Sequence, residues 1–319
     1  MAAKLYGALD LGSNTFRLIL AQASRDGRGP DPVTKRVWQE IPRISEGLMP
    51  GKPFMEEPLA RARMALDGFA GTLASEAPER LVAGCTMAAR LASDGPDFAR
   101  EVSRRFGCES LVLTGQEEGA LAAMGALMSL DPVPARSVVF DIGGRSTEFV
   151  CARGPDSESV TSLPIGVVAL SDTFMKSDPP TPAEIAAMDS CIREHLKDVP
   201  EPAGGRDPAT LIGTAGTVTT LAAMLLGLNE YRPSLVHGSR HGLSAVEKLN
   251  RDLSRESVAE RALRPGLHPR RADVIVAGIA LVQCILERYD AEGFIASDSG
   301  LLEGLWTVAS GMASLGIRT

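Results

Sequence analysis

The sequence predicts an α/β fold made of two similar halves, each with a mixed β-sheet flanked by helices. One short motif occurs twice, as ALDLGSNTFRLILA at residues 8–21 and as VFDIGGRSTEFVCA at residues 139–152. Each copy is typical of a strand, a glycine-containing turn headed by aspartate, and a second strand, so each half begins with an antiparallel hairpin. After each hairpin, short apolar strands alternate with helical patterns, which is typical of layered α/β domains.

The composition is that of a globular protein, and it narrows the classes of function. The chain has 319 residues, of which 44% are hydrophobic and 23% are charged, and this length favours about two domains. The net charge of −7 disfavours general nucleic-acid binding, because such proteins carry a basic excess. No apolar run reaches the roughly 18 residues that would predict a membrane span. Five cysteines without a CxxC spacing predict reduced thiols in a cytoplasmic protein, and they disfavour a disulfide framework or a zinc site.

In the first half, the hairpin is followed by a further strand and then by alternating helices and strands. The strand is predicted at Val33–Gln39. The pattern at 56–76 predicts an amphipathic helix whose apolar residues are Leu59, Met64, Leu66 and Phe69. The other elements predicted in this half are strand Leu81–Gly84, helices Thr86–Ala92 and Asp97–Phe106, strand Ser110–Leu113, and a helix entered through Gly115.

The second half repeats this plan from its own hairpin, which is predicted at Ser137–Ala152. The join between strand and helix written LVAGCTMAARLA in the first half is echoed by LIGTAGTVTTLAA in the second. The other elements predicted here are a helix at about Pro182–Lys197, strand Thr210–Ile212 with a helix after it, a helix at about Ala272–Tyr289, and strand Gly293–Ala296.

The first turn, from Asp10 to Thr15, has the composition of a phosphate-binding loop. Gly12 permits a tight turn, while Ser13 and Asn14 offer donors at its tip. Asp10 ends an apolar strand, where a carboxylate suits a metal-bound water or the positioning of a nucleophile. An ordinary hairpin, whose Asp and Asn merely satisfy the turn, would explain a single copy equally well. The second copy makes that explanation less attractive and favours two phosphate-binding turns that face each other across a cleft.

The second turn differs from the first at its tip. The residues of interest there are Asp141, Gly143, Gly144, Arg145, Ser146, Thr147 and Glu148. Arg145 stands where the first copy has Asn14. An arginine at this position would either clamp a phosphate through two hydrogen bonds or be a solvent-exposed turn tip, and the sequence favours neither.

Two acidic residues, Glu117 and Glu118, begin the helix that follows Gly115. Acidic residues in a first helical turn commonly stabilise the helix N-terminus. The functional alternative is a general base, and only one of the two side chains is then expected to face the site.

A third glycine turn, Gly213-Thr214-Ala-Gly-Thr217, joins a strand to a helix. Its backbone N–H groups would lie at a helix N-terminus, where anions bind favourably. Alone this turn is weak evidence for an anion site, and as a third glycine turn in one chain it is moderate evidence.

The chain resembles the exopolyphosphatase / guanosine pentaphosphate phosphohydrolase family, of the superfamily of acetate kinase, sugar kinases, heat-shock chaperone ATPases and actin. The two repeated motifs resemble the family's phosphate loops, TGQEEGAL resembles the segment with its catalytic glutamate, and CTMAARLASDGPDF resembles its arginine-bearing segment. SLPIGVVALSDTF, IGTAGTVTTLA, VHGSRHGLS, RPGLHPRRADVIVAG and SDSGLLEGL follow in the family's order over nearly the whole chain. The resemblance implies two ribonuclease H-like (actin-like ATPase) domains with a cleft between them. The first would comprise residues 1–125 and about 300–319, and the second residues 126–299.

The resemblance also implies roles for individual residues. Glu118 would be the catalytic base, and Arg90 an anion contact. The phosphate-binding set would be Gly12, Ser13, Asn14, Thr15, Arg17, Arg90, Gly143, Gly144, Arg145, Ser146, Thr147, Gly213 and Thr214. Mg²⁺ would be held by Asp141 and Glu148, with Asp10 contributing through water.

The implied activity is hydrolysis of a terminal phosphoanhydride bond. The substrate would be inorganic polyphosphate, or guanosine pentaphosphate, whose conversion to tetraphosphate belongs to the stringent response. The family further implies a homodimer. Two alternatives stay open: a superfamily kinase, and a catalytically weak protein that binds polyphosphate or guanosine tetra- and pentaphosphate.

Two departures from the family pattern affect these expectations. The family usually has a third glycine where this chain has Arg145, which would change chain-length preference, add an anion contact or block catalysis. The chain also resembles only the two-domain core of longer members, so we expect low processivity on long polymer.

Overall fold

The computed structural model describes residues 4–25, 27, 29–201 and 209–313. The chain divides into two compact units: one formed from Met1–Ser129 with Gly300–Thr319, and one formed from Leu130–Ser299. Each unit contains one mixed sheet flanked by helices, so the predicted fold class is confirmed.

The sheet of the first unit carries the first copy of the repeated motif. Its strands are β1 (Leu5–Leu11), β2 (Phe16–Gln22), β3 (Arg36–Glu40), β4 (Arg80–Cys85) and β5 (Glu109–Val112). They lie in the order β3-β2-β1-β4-β5. The central strand β1 pairs antiparallel with β2 and parallel with β4. The strand predicted from Val33 begins instead at Arg36, because residues 32–34 form a turn in which Thr34 N donates to Asp31 O.

Helices cover this sheet, and one of them comes from the end of the chain. They are α1 (Glu56–Glu76), α2 (Met87–Leu91), α3 (Gly95–Phe106), α4 (Gly115–Met128) and α12 (Leu301–Ser310). Helices α4 and α12 approach each other at two glycines. A Cβ on Gly125 would overlap the carbonyl oxygen of Gly300, and a Cβ on Gly304 would overlap that of Leu121. Only glycine permits this contact, which fixes α4 against α12.

The sheet of the second unit repeats the first. Its strands are β6 (Arg136–Ile142), β7 (Thr147–Arg153), β8 (Asp156–Leu163), β9 (Thr210–Thr214), β10 (Arg240–Gly242) and β11 (Gly293–Ala296). They lie in the order β10-β11-β9-β6-β7-β8. Read from β8 to β11, this order matches that of the first sheet from β3 to β5, with β10 added at one edge. The repeat in the sequence is therefore a repeat of sheet topology.

The helices of the second unit surround one long buried helix. They are α5 (Val167–Phe174), α6 (Pro182–His195), α7 (Ala215–Leu225), α8 (Pro233–Val236), α9 (Leu243–Leu253), α10 (Val258–Arg261) and α11 (Ile275–Arg288). Eleven of the fourteen residues of α11 are buried. The sequence did not predict strands β8 and β10 or helices α5, α8, α9 and α10. The polar sequence of β8 lacks an alternating apolar pattern because it is an edge strand whose first four residues are exposed.

The cores of both units consist mainly of aliphatic side chains. All five cysteines are free thiols. Burial raises the pKa of Cys85 and of Cys284 to about 12, so both stay protonated. Among the described residues, no helix is long and apolar enough to cross a membrane.

Candidate active site

The two repeated turns close with the same hydrogen bond. Gly12 N donates to Thr15 O at 3.1 Å, and Gly143 N donates to Ser146 O at 3.0 Å. A Cβ on Gly12 would lie only 2.9 Å from the oxygen of Thr15, so this closure requires glycine. The turns are thus equivalent four-residue loops, each preceded by the aspartate that the motif places there.

The carbonyl groups of the first turn are bonded to a neighbouring loop. Ser13 O accepts from Ser45 N, and Asn14 O accepts from Arg43 N, both at 3.1 Å. In a trans peptide the N–H group points opposite to the C=O group. The N–H groups of Asn14 and Thr15 therefore point away from this loop. Such a pair of parallel N–H groups suits the oxygens of a phosphate.

The second turn is bonded in the same way, to the first turn of helix α5. Gly143 O accepts from Val167 N at 3.1 Å, and Gly144 O accepts from Val168 N at 2.8 Å. By the same reasoning, the N–H groups of Gly144 and Arg145 point away from α5. Both copies thus present two backbone N–H groups, which is the feature that the sequence predicted.

Asp10 forms an ion pair with its neighbour across the hairpin. Arg17 donates from Nε and Nη2 to Asp10 Oδ2, at 3.1 and 2.8 Å. Burial raises the pKa of Asp10, and Arg17 opposes that rise. The resemblance implied that Arg17 contacts phosphate, but both of these donors hold Asp10. The geometry thus favours a positioning role for Arg17.

A second carboxylate, Glu303 of α12, belongs to the same charged cluster. It is 2% exposed, accepts from Gly300 N at 2.8 Å and pairs with Lys35 Nζ at 2.8 Å. Burial alone would raise the pKa of Glu303, but attraction to Lys35 and Arg17 outweighs it and lowers the pKa. The family resemblance includes the segment SDSGLLEGL around Glu303 but implies no role for this residue. The signal that could have singled out Glu303 was a lone carboxylate among the apolar residues of this segment.

The corresponding pair in the second unit has two carboxylates. Asp141 lies directly across from Glu148 in the ladder between β6 and β7, and the two are 8% and 1% exposed. Ser162 Oγ of the unpredicted strand β8 donates to Glu148 Oε1 at 2.7 Å. Within the described residues, no cluster of three or more His, Cys, Asp or Glu side chains is arranged to hold a metal. Mg²⁺ requires only one or two carboxylates beside water and substrate oxygens, so this oxygen pair fits it.

Glu117 and Glu118 have separate places in the structure. Glu117 Oε2 accepts from Thr114 N at 2.8 Å, and Glu117 N donates to Thr114 Oγ1 at 3.2 Å. This reciprocal pair is a capping box that stabilises the start of α4. Glu118 is 7% exposed. Glu117 thus stabilises the N-terminus of α4, and the role of general base remains a prediction for Glu118.

Arg90 and Glu118 form a partly buried ion pair. Arg90 Nη1 donates both to Glu118 Oε2 and to Leu113 O, each at 2.6 Å. The other terminal nitrogen, Nη2, is buried and has no hydrogen-bond partner among the described residues. A buried donor without a partner is unfavourable, so an anionic oxygen at this place would be stabilised. The structure thus brings together the two residues that the resemblance assigned to the base and to the anion contact.

Arg145 is not a solvent-exposed turn tip. Its side chain is 14% exposed, and Nη2 lies 3.7 Å from Asp172 Oδ2 on helix α5. Burial lowers the pKa of Arg145. The partner could not be foreseen, because α5 was not predicted.

Three of the predicted phosphate contacts support the surrounding structure. Thr147 is fully buried, and its hydroxyl donates to Ile165 O at 2.7 Å. Thr214 Oγ1 donates to Ser299 O at 2.8 Å. A Cβ on Gly213 would lie 2.6 Å from the ring of Phe140, so this glycine is explained by packing.

Arg271 lies beside the third glycine turn, and the sequence predicted no role for it there. The pair Arg270-Arg271 reads as a solvated basic face, and Arg270 is indeed exposed. Arg271 is 9% exposed, and a Cβ on Gly216 would overlap its guanidinium. It thus lies against the first turn of α7, beside the third glycine turn.

Comparisons with known proteins place the chain in one family. The model of the Ppx/GppA phosphatase family matches residues 26–309. The chain is 31% identical to Exopolyphosphatase 2 of Mycobacterium tuberculosis over 316 residues, which are 96% of this chain and 98% of that protein. Among solved structures, a Ppx/GppA family member from Aquifex aeolicus is 31% identical with a TM-score of 0.80, covering 97% of both chains. An exopolyphosphatase from Cytophaga hutchinsonii is 25% identical with a TM-score of 0.84, covering 97% of this chain and 98% of that one. The chain therefore belongs to the Ppx/GppA phosphatase family.

Proposed function

We propose that this protein is a phosphoanhydride hydrolase that releases terminal phosphate from inorganic polyphosphate. The observation that carries this proposal is the pairing of Arg90 with Glu118 at 2.6 Å, beside a buried guanidinium nitrogen that lacks a partner among the described residues. The relative named exopolyphosphatase supports the choice of polyphosphate.

Glu118 acts as the general base. It accepts a proton from a water molecule as the water oxygen bonds to the terminal phosphorus. The bond from that phosphorus to the bridging oxygen then breaks, and the polymer leaves one phosphate shorter. Arg90 orients the Glu118 carboxylate through Nη1, and its Nη2 donates to an oxygen of the phosphoryl group under attack.

The two turns hold phosphate oxygens through backbone N–H groups, those of Asn14 and Thr15 in one turn and those of Gly144 and Arg145 in the other. Positioning and charge neutralisation are the main requirements of phosphoryl transfer. Bound Mg²⁺ would neutralise charge on the substrate oxygens, and Asp141 and Glu148 would hold it. That both turns contact one substrate stays a prediction of the duplicated motif.

Other parts of the expected function stay proposals of the same kind. Guanosine pentaphosphate is a second substrate implied by the resemblance, as is a homodimer. A cytoplasmic location is supported by the five free thiols. A binding protein without turnover is disfavoured, because a catalytic role for Glu118 explains its burial beside Arg90 in a family of phosphatases.

The test is phosphate release by the purified protein with Mg²⁺, using tripolyphosphate, long polyphosphate, guanosine pentaphosphate and ATP. The Glu118→Gln variant keeps the size of the side chain and removes the base. Its neighbour Glu117→Gln is the matched control, because a glutamine oxygen still accepts from Thr114 N. We expect release that is lost in Glu118→Gln and kept in Glu117→Gln. Equal activity in the wild type and Glu118→Gln would refute the proposed base.

A further inference from the structure

The second turn is joined to helix α5 on one side only. The carbonyls of Gly143 and Gly144 accept from the first N–H groups of α5. The backbone of the turn also packs on Gly166, where a Cβ would overlap the amide of Arg145. The side of the turn that faces α5 is therefore closed, and the N–H groups of Gly144 and Arg145 point to the other side.

The guanidinium of Arg145 lies on the side of α5. Its partner Asp172 belongs to α5, and the 3.7 Å between Arg145 Nη2 and Asp172 Oδ2 is longer than a charge-assisted hydrogen bond. The Asp172 side chain is 56% exposed, whereas that of Arg145 is 14% exposed. The covered guanidinium of Arg145 thus lies near an accessible carboxylate, at a distance too long for a direct hydrogen bond.

We propose that Asp172 is a specificity-determining residue, which retains Arg145 on α5 in competition with the phosphate that binds the second turn. This inference rests on the proposed function, because it concerns the same anion. A guanidinium binds a phosphate through two parallel hydrogen bonds, and more strongly as the anion gains charge. Polyphosphate would draw Arg145 away from Asp172 more readily than inorganic phosphate does, so the pair favours highly charged anions.

The test measures binding without turnover, by calorimetry on the full chain carrying Glu118→Gln, with sodium tripolyphosphate and with inorganic phosphate. Asp172→Asn removes the competitor and is expected to tighten tripolyphosphate binding by about 1.5- to fivefold, the range of an ion pair with an exposed partner. Arg145→Gln is expected to weaken binding. When Arg145→Gln is already present, adding Asp172→Asn is expected to have no further effect on tripolyphosphate binding.

The control is Asp156→Asn, which removes the same charge from an exposed position in the same unit. We expect it to leave the affinity for tripolyphosphate unchanged. If Asp172→Asn changes the affinity for tripolyphosphate equally with and without Arg145, Asp172 acts only through its general negative charge. That result would overturn the inference. An unchanged affinity in Asp172→Asn, or a lack of tripolyphosphate binding, would overturn it as well.

The binding and hydrolysis experiments separate the two proposals. The binding experiment can show coupling between Arg145 and Asp172 while the wild-type protein releases no phosphate. That result would support this inference and overturn the proposed hydrolysis. Hydrolysis without such coupling would overturn only the role of Asp172.

Discussion

Arg17 in β2 and Glu148 in β7 occupy the same position in the two hairpins and carry opposite charges. Arg17 lies across from Asp10, and Glu148 lies across from Asp141, in each case one pair before the pair that closes the turn. The first hairpin thus contains its own cation, while the second places two carboxylates side by side. Two adjacent carboxylates in a buried place favour an external cation, which is the basis for placing Mg²⁺ in the second unit.

Removing one of these carboxylates should raise the Mg²⁺ concentration that activity requires. We expect Glu148→Gln and Asp141→Asn each to raise the half-activating Mg²⁺ concentration about tenfold or more, because each removes a charged ligand. The measurement is a Mg²⁺ titration of phosphate release. Glu158→Gln is the control, since this carboxylate lies on the exposed part of β8 and pairs with Arg153. An unchanged Mg²⁺ requirement in both carboxylate variants would place the metal elsewhere.

Arg90 should not be replaceable by lysine. A lysine cannot donate to Glu118, to Leu113 O and to a phosphate oxygen from one planar group. We expect kcat for tripolyphosphate to fall about 10²–10³-fold in Arg90→Ala, the usual effect of losing one donor to the transition state, and to be only partly restored in Arg90→Lys. Arg104→Lys, on the exposed side of α3, is the control. A kcat in Arg90→Lys equal to that of wild type would contradict the role of the guanidinium fork.

The buried Glu303 should make the stability of the first unit depend on pH. Since its folded-state pKa is lowered from the ordinary value of 4.5, its stabilisation is present above that value and is lost as the pH falls through the folded-state pKa. We expect Glu303→Gln to lower the free energy of unfolding by about 3 kcal/mol at pH 7, because Lys35 loses its partner. The difference from wild type should shrink as the pH falls below 4.5. Urea unfolding followed by the fluorescence of the two tryptophans of the first unit, Trp38 and Trp306, measures it, with the exposed Glu57→Gln as control. A difference that does not change between pH 7 and pH 3 would exclude titration of Glu303 as its origin.

Two glycine-to-alanine changes should have opposite effects on stability. Gly125 lies against the backbone of α12, where a methyl group would overlap the oxygen of Gly300. We expect Gly125→Ala to destabilise the protein by about 2–3 kcal/mol, and to lower activity because α4 carries Glu118. Gly68 lies on the exposed face of α1, and an alanine methyl group there would meet no atom within 4 Å. Gly68→Ala should stabilise by about 0.5–1 kcal/mol, since alanine favours helix. Thermal unfolding of both variants gives the sign of each change in stability. Two changes of the same sign would contradict the packing of α4 on α12.

The local pattern of apolar residues and turn residues in the sequence was sufficient to predict much of the fold. Helix α1 has the predicted bounds, because its apolar residues recur at helical spacing over 21 residues. Met64, one of the apolar residues predicted for this helix, is nevertheless 72% exposed. The hairpins and their turns were predictable because glycine and aspartate have strong local preferences at such positions. Strand β8 was not predictable, since an exposed edge strand requires no apolar alternation. It nevertheless supplies Ser162, which contacts Glu148.

The sequence by itself determined which residues could bind phosphate, since turn composition and helix starts are properties of neighbouring residues. The tertiary structure decided what each side chain contacts. Arg17 holds Asp10, Lys35 pairs with Glu303, and Arg271 lies under Gly216, although their residue types alone would suit phosphate contacts. The reason is physical: the partner of a buried charge is set by which distant elements pack together, and packing depends on the shape and volume of the whole unit.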